Sequence, residues 1–225
     1  MTRDWQRVGA LSGLLFFVTV VASFFTPDTP DADDPTAEIV STIADDRTAH
    51  ILSVYLTGLA SLLFLVFVGA LWSRLRAAEA DRGASILVAL GGVGTAALVL
   101  IANGAFLALI EAADEGREPA AVRALFELDE VIFLSFGWTS AAFYLGAALS
   151  SLATRSLPRW LGWGAALIAA LFVIASLGVF SKDDEGGALG FVFFLVFLLN
   201  LLWILATSIL MLRERPAARP VGPPD

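Results

Sequence analysis

The 225-residue chain contains no cysteine, one histidine, and a single lysine beside thirteen arginines. Lacking cysteine, it can form no disulfide, thiolate metal site or iron–sulfur cluster, and it has no cysteine nucleophile. A lone histidine, His50, excludes bis-histidine haem ligation and the usual multi-histidine zinc centres. Charge is also scarce. Only 16% of residues are charged and 58% are hydrophobic, whereas soluble domains average about 25% and about 45–50%. The sequence carries no P-loop, serine-elbow or metalloprotease signature. Long uncharged apolar runs stand in place of these motifs.

The run at 85–110 is the centre of the pattern, with no charge until Glu111. At about 1.5 Å per residue, it is long enough to cross a hydrocarbon core of roughly 30 Å. It is rich in small residues (Gly91, Gly92, Gly94, Thr95, Ala96, Ala97, Gly104) and holds one amide, Asn103. Lipid gains nothing from a glycine face, whereas a neighbouring helix gains close approach, so this run is expected to pack against other helices. Similar runs at 8–25, 51–72, 131–152, 161–180 and 188–212 complete the set. The expected fold is an all-α polytopic membrane protein: six transmembrane helices in three hairpins, one domain over 1–212 and a disordered tail over 213–225. A cleaved signal peptide competes for the first run, but its apolar stretch is long and its cleavage site weak.

The net charge of −8 divides by side. Segments 1–7, 73–84, 153–159 and 211–225 hold ten arginines and five acids. The alternate segments 26–50, 111–130 and 181–187 hold four bases and seventeen acids. Since Arg and Lys mark cytoplasmic loops, both termini are expected inside, in a multi-pass protein of the plasma membrane. An acidic outer face disfavours nucleic acid as a partner. The lipid bilayer is the expected surrounding, with a protein or lipid partner and an open oligomeric state.

Segment 26–50 opens TPDTPDADDP, expected to be mobile, and then offers a helix start with Asp34 as N-cap before Pro35. Ile39, Val40 and Ile43 share a face there, as in a short helix lying along the outer interface. A second outer helix should follow Glu118-Pro119, with Val122, Leu125 and Phe126 on one side. Small residues form stripes at Ser135, Thr139, Ala142, Gly146 and Ser150, and again at Gly162, Ala165, Ala169 and Ser176, which marks packing faces. The last run, with Phe191, Phe193, Phe194, Phe197 and Trp203, suits a lipid-facing helix. In layout the chain resembles small six-span bacterial membrane proteins with a domain of unknown function. The cues are Thr48-Ala49-His50 after the acidic loop and Leu157-Pro158-Arg159-Trp160 entering span five. That resemblance implies no activity and no site residues.

Gly92-Val93-Gly94-Thr95-Ala96-Ala97 matches GxGxxA on paper. The dinucleotide motif needs a strand, a loop and a helix start in water, whereas this run stays apolar to Ile110. The polar residues that remain suggest an outward-opening pocket of Asn103, Asn200, His50, Thr139, Asp129 and Glu130. Tyr55, Thr57, Ser135 and Ser176 are expected at similar depth. Asn103 and Asn200 also suit plain interhelical bonding, and Asp129 and Glu130 suit a helix N-terminus. No catalytic residue, metal or cofactor is expected. The leading expectation is a non-enzymatic bundle that binds a protein or lipid. The alternatives are a small permease or ligand-binding protein with an acidic outer vestibule, and an enzyme using His50 with an outer carboxylate.

Overall fold

All nine prolines lie outside the apolar runs, so each run can close its backbone hydrogen bonds within one helix, as a bilayer demands. The computed structural model describes residues 3–26, 30, 34–79, 83–177 and 188–213, the side chains of Arg3, Glu130, Phe133, Leu134 and 188–190 excepted. Seven α-helices occupy them: α1 (Arg3–Ser23), α2 (Thr36–Asp45), α3 (Arg47–Ala78), α4 (Ile86–Asp114), α5 (Pro119–Thr154), α6 (Arg159–Ala175) and α7 (Ala188–Arg213). No strand occurs among the described residues. Helices α1, α3, α4 and α7 are each long and apolar enough to cross a membrane, while α6 is apolar but 17 residues long. Their outward faces are apolar too, with Leu15, Leu62, Leu90, Trp163, Phe191 and Leu202 exposed, which is the surface a lipid-facing bundle presents.

Pro119 stands at the first position of α5, and Pro158 caps α6, where their missing N–H costs nothing. Helix α3 runs beyond its apolar stretch at both ends, and α5 begins well before its own. Helix α6 stops at Ala175, short of the expected end of span five, and residues 178–180 lie outside those described. So do the acidic turn at 181–187, most of the TPDTPDADDP stretch and the tail from 214.

Apart from α2, each helix packs against the next in sequence, and α7 packs back on α1. The result is a closed ring in the order α1, α3, α4, α5, α6, α7. Neighbours run antiparallel: Gly91 lies against Phe143 and Gly146 against Val88, while Gln6 bonds Ala70 O and Phe16 meets Phe64. The end of α3, the start of α4, the turn at 155–158, the start of α1 and the end of α7 therefore share one end, which carries Arg7, Arg74, Arg76, Arg155 and Arg159. Helix α2 and the α4–α5 turn occupy the other.

The basic end is closed by backbone contact. A Cβ on Gly91 would lie 2.8 Å from Phe143 Cα, and one on Gly146 would lie 2.7 Å from Val88 N, so only glycine admits this approach. Gly162, Ala165 and Ala169 of α6 and its C-cap Ser176 are all buried, as their stripe predicts. The α5 stripe divides. Gly146 and Ser150 are buried, but Ser135 is exposed.

Rings fill the middle of the bundle. Phe143 meets Tyr144 edge-on at 4.9 Å, Tyr144 meets Trp203 at 5.1 Å, and Tyr144 stacks on Phe172 at 6.0 Å. Trp203, expected to face lipid, is buried and donates to Leu161 O at 2.9 Å. The reason is physical: an indole N–H in hydrocarbon needs an acceptor, and the first turn of α6 supplies one.

Helix α2 departs from expectation in two ways. Pro35, rather than Asp34, is the N-cap, and its carbonyl accepts the N–H groups of Glu38 and Ile39. The expected face of Ile39 and Ile43 is fully buried, but against Leu109, Ile110, Val122 and Phe126 of α4 and α5 rather than along lipid. The protruding ends of α4 and α5 provide an apolar seat that the isolated segment could not reveal.

Candidate functional site

A half-open cavity of about 270 Å³ lies in the half of the ring nearer α2. Five helices contribute to its lining: α1 through Phe16, Thr19, Val20 and Ser23, α3 between Leu56 and Phe64, α4 through Thr95 and Val99, α5 through Phe136, and α7 through Phe197 and Asn200. Towards the basic end it is closed by rings, since Phe64 meets both Phe16 and Phe143 at 5.5 and 5.6 Å.

Most of the polar groups around the cavity are already used. Ser23 Oγ donates to Val20 O, and Ser61 Oγ to Thr57 O, each within its own helix. Thr95 Oγ1 lies 3.2 Å from Thr139 Oγ1 and 3.3 Å from Ser140 Oγ. Hydroxyls satisfied in this way leave mainly methyl and ring surface towards the cavity. The exceptions are Thr19 and Thr57, whose hydroxyls bond no described residue, and Asn200. Asn200 is 8% exposed, and its Oδ1 accepts the Tyr144 hydroxyl at 2.5 Å.

The other expected pocket residues do not gather there. Asn103 donates from Nδ2 to Val54 O at 2.9 Å, which ties α4 to α3. Thr139 lies behind Thr95, outside the lining. His50 is 1% exposed and meets Phe106 edge-on at 5.7 Å, beside the apolar seat of α2. Its Nε2 has no hydrogen-bond partner among the described residues. The carboxylates nearest in sequence pattern are engaged elsewhere: Arg47 pairs with Glu111 at 2.8 Å and with Asp114 at 3.1 Å. Asp129 stands just before the apolar part of α5, and burial pushes its carboxyl up to about 6. The Glu130 side chain lies outside the described residues. No group of three His, Asp or Glu side chains suited to a metal ion occurs among those described. The GxGxxA segment is mid-helix in α4, and its first glycine, Gly92, packs against Val68.

A second polar centre closes the basic end. Glu79, just after α3, accepts hydrogen bonds from Ser85 N at 3.0 Å, Ser85 Oγ at 2.7 Å and Ser150 Oγ at 2.5 Å. Three helices are thus joined through one buried carboxylate, placed at the positive N-terminus of α4. Burial pushes its carboxyl up, but the Ser150 and Ser85 bonds, with Arg76 nearby, outweigh this and hold it below the ordinary value. The sequence offers one signal for it, an acid six residues before a serine that begins a helix. Tyr144, mid-run and one of two tyrosines, was the comparable signal for the Asn200 partner. No family model, no curated protein and no solved structure matches this chain.

Proposed function

We propose that the chain is a non-enzymatic, six-span protein of the cytoplasmic membrane, with both termini inside, that holds a lipid-soluble ligand in the cavity between α1, α3, α4, α5 and α7. Three features support six spans: the ring order, the apolar outer surface, and the collection of arginines at one end and most acids at the other. The observation that carries the binding role is the cavity itself. It indents the ring between five helices, where a bundle with no ligand gains most by close packing, and most of its lining is aliphatic or aromatic. At about 270 Å³ it falls just below the range of roughly 300–1,000 Å³ usual for ligand pockets. That size suits one ring or the end of a chain. The aromatic floor closes the path towards the basic end, so this reading is favoured over a permease.

Native mass spectrometry of the protein extracted from its membrane tests the proposal. The wild type should retain a small apolar adduct, and Ala60→Phe, which fills the cavity, should lose it. Leu62→Phe, on the exposed side of the same helix, should keep it. Equal adduct occupancy in all three proteins would refute the assignment.

A further inference from the structure

Asn200 brings the one amide to the lining, beside the hydroxyls of Thr19 and Thr57, which bond no described residue. The Asn200 Oδ1 is occupied by the Tyr144 hydroxyl at 2.5 Å. Tyr144 is itself buried among Phe143, Phe172 and Trp203, so the side-chain amide is held with its oxygen towards α5. The NH₂ group is what remains for the cavity. Among the described residues no acceptor takes either of its protons, and the atom is not one of the sealed, partnerless ones. A donor left unmatched in a low-dielectric interior carries a desolvation penalty that a ligand can remove.

The kind of acceptor follows from what else lines the space. No lining residue is charged, so an ionised carboxylate or phosphate would enter without a counter-charge, at a large cost. A ligand hydroxyl would need an acceptor, and with the amide oxygen engaged only the Thr19 and Thr57 hydroxyls of the lining offer one. A neutral carbonyl oxygen needs only donors. Phe16, Phe64, Phe136 and Phe197 surround the space with ring faces and edges, which suit a flat conjugated ring. We infer that the cavity selects a neutral, lipid-soluble carbonyl compound of the quinone type, whose carbonyl oxygen accepts a hydrogen bond from Asn200 Nδ2. This rests on the ligand-binding reading above and narrows it.

Decylbenzoquinone and decylbenzene, which share the chain and differ in the two carbonyls, separate the two levels. Each is added at equal concentration to the detergent-purified full chain, and retention is read by native mass spectrometry. The wild type should favour the quinone about tenfold, the worth of one well-made hydrogen bond. Because Asn200→Leu alone would orphan the Tyr144 hydroxyl and risk misfolding, it is paired with Tyr144→Phe. The double variant should hold both compounds equally while its thermal unfolding remains cooperative. Equal retention by the wild type would overturn the carbonyl inference and leave the cavity reading intact. A quinone preference that survives in the double variant would overturn the role of Asn200. Retention of neither compound by the wild type would overturn both.

Discussion

The half of the bundle at the basic end and the half bearing α2 use the same small residues to opposite ends. Near the basic end, Gly91, Gly92 and Gly146 bring backbones or branched side chains within reach of any added Cβ. In the other half Gly137 is closely faced by Ser176, but around the cavity side Gly58 has one neighbour, at 3.9 Å, and Gly104 has none within 4 Å. One half is closed by backbone contact and a buried carboxylate, and the other holds the cavity. Small residues in a span thus signal contact only where a facing helix approaches, and their frequency alone does not locate it.

The sharpest way to break the contrast is at Gly146. Gly146→Val drives a branched side chain into the backbone of α4 at Val88 and Leu87, where neither helix can yield without losing its neighbours. Overpacking usually costs about 1–3 kcal/mol, and backbone obstruction puts this site at or above the upper figure. Thermal unfolding in detergent should show a large loss of stability or no folded protein. A variant as stable as the wild type would mean that α4 and α5 are not in this contact.

Next in size is Glu79→Gln. The substitution keeps the shape but replaces an acceptor-only carboxylate with an amide whose NH₂ faces hydroxyl and N–H donors. About 2 kcal/mol should be lost, as when charge-assisted bonds are replaced and a buried donor is left unmatched. The acid limb gives an independent reading. Because the folded carboxyl is held below its ordinary 4.5, its contribution is complete above that pH and is lost as pH falls through the lowered value. The wild type should therefore lose stability on acidification, and the component due to Glu79 should vanish in the variant. Asp129 works in the opposite sense. Its carboxyl is pushed up to about 6, so its ionisation opposes folding as pH rises from the unfolded value towards 6.

Gly104→Ala should move stability the other way. With open space around it, the substitution removes backbone freedom from the unfolded chain and introduces no clash, a gain of about 0.5–1 kcal/mol. Opposite signs at Gly146 and Gly104 would confirm the division between the halves. Losses at both sites would mean that α4 is also tightly packed around Gly104.

How much of this the sequence revealed depends on range. Helix positions followed from uncharged runs and proline placement, both local properties, and the α6 stripe named its buried face correctly. Ring closure by α1 and α7 joins the two ends of the chain and left no local mark. Depth along a span was readable from the sequence, while rotation about the helix axis was not. Asn103 and Asn200 lie at workable depths, yet Asn103 turns to Val54 and Asn200 to Tyr144. Asp34 was misread as a cap for another reason: Pro35 offers its own carbonyl to the first turn, which makes a side-chain cap unnecessary.

The smallest effect is expected at Arg47, and its value lies in the way it depends on salt. Arg47 bridges Glu111 and Asp114, acids in the last turns of α4, where the helix dipole disfavours negative charge. All three side chains are 36–48% exposed, so water and ions screen the pairs. Arg47→Gln should therefore cost only about 0.5 kcal/mol at low ionic strength, and that loss should fade towards 1 M salt, where the Debye length is about 3 Å. Glu79→Gln, measured over the same series, should keep its full cost, because its bonds are enclosed between helices and its partners are neutral hydroxyls and an N–H. If the two variants respond alike to salt, the Glu79 centre is open to water and the basic end is not the sealed half of the bundle. If only Arg47 responds, the α2 end is held at its rim by exposed charge, where ionic conditions can reach it, while the opposite end is held by contacts that they cannot.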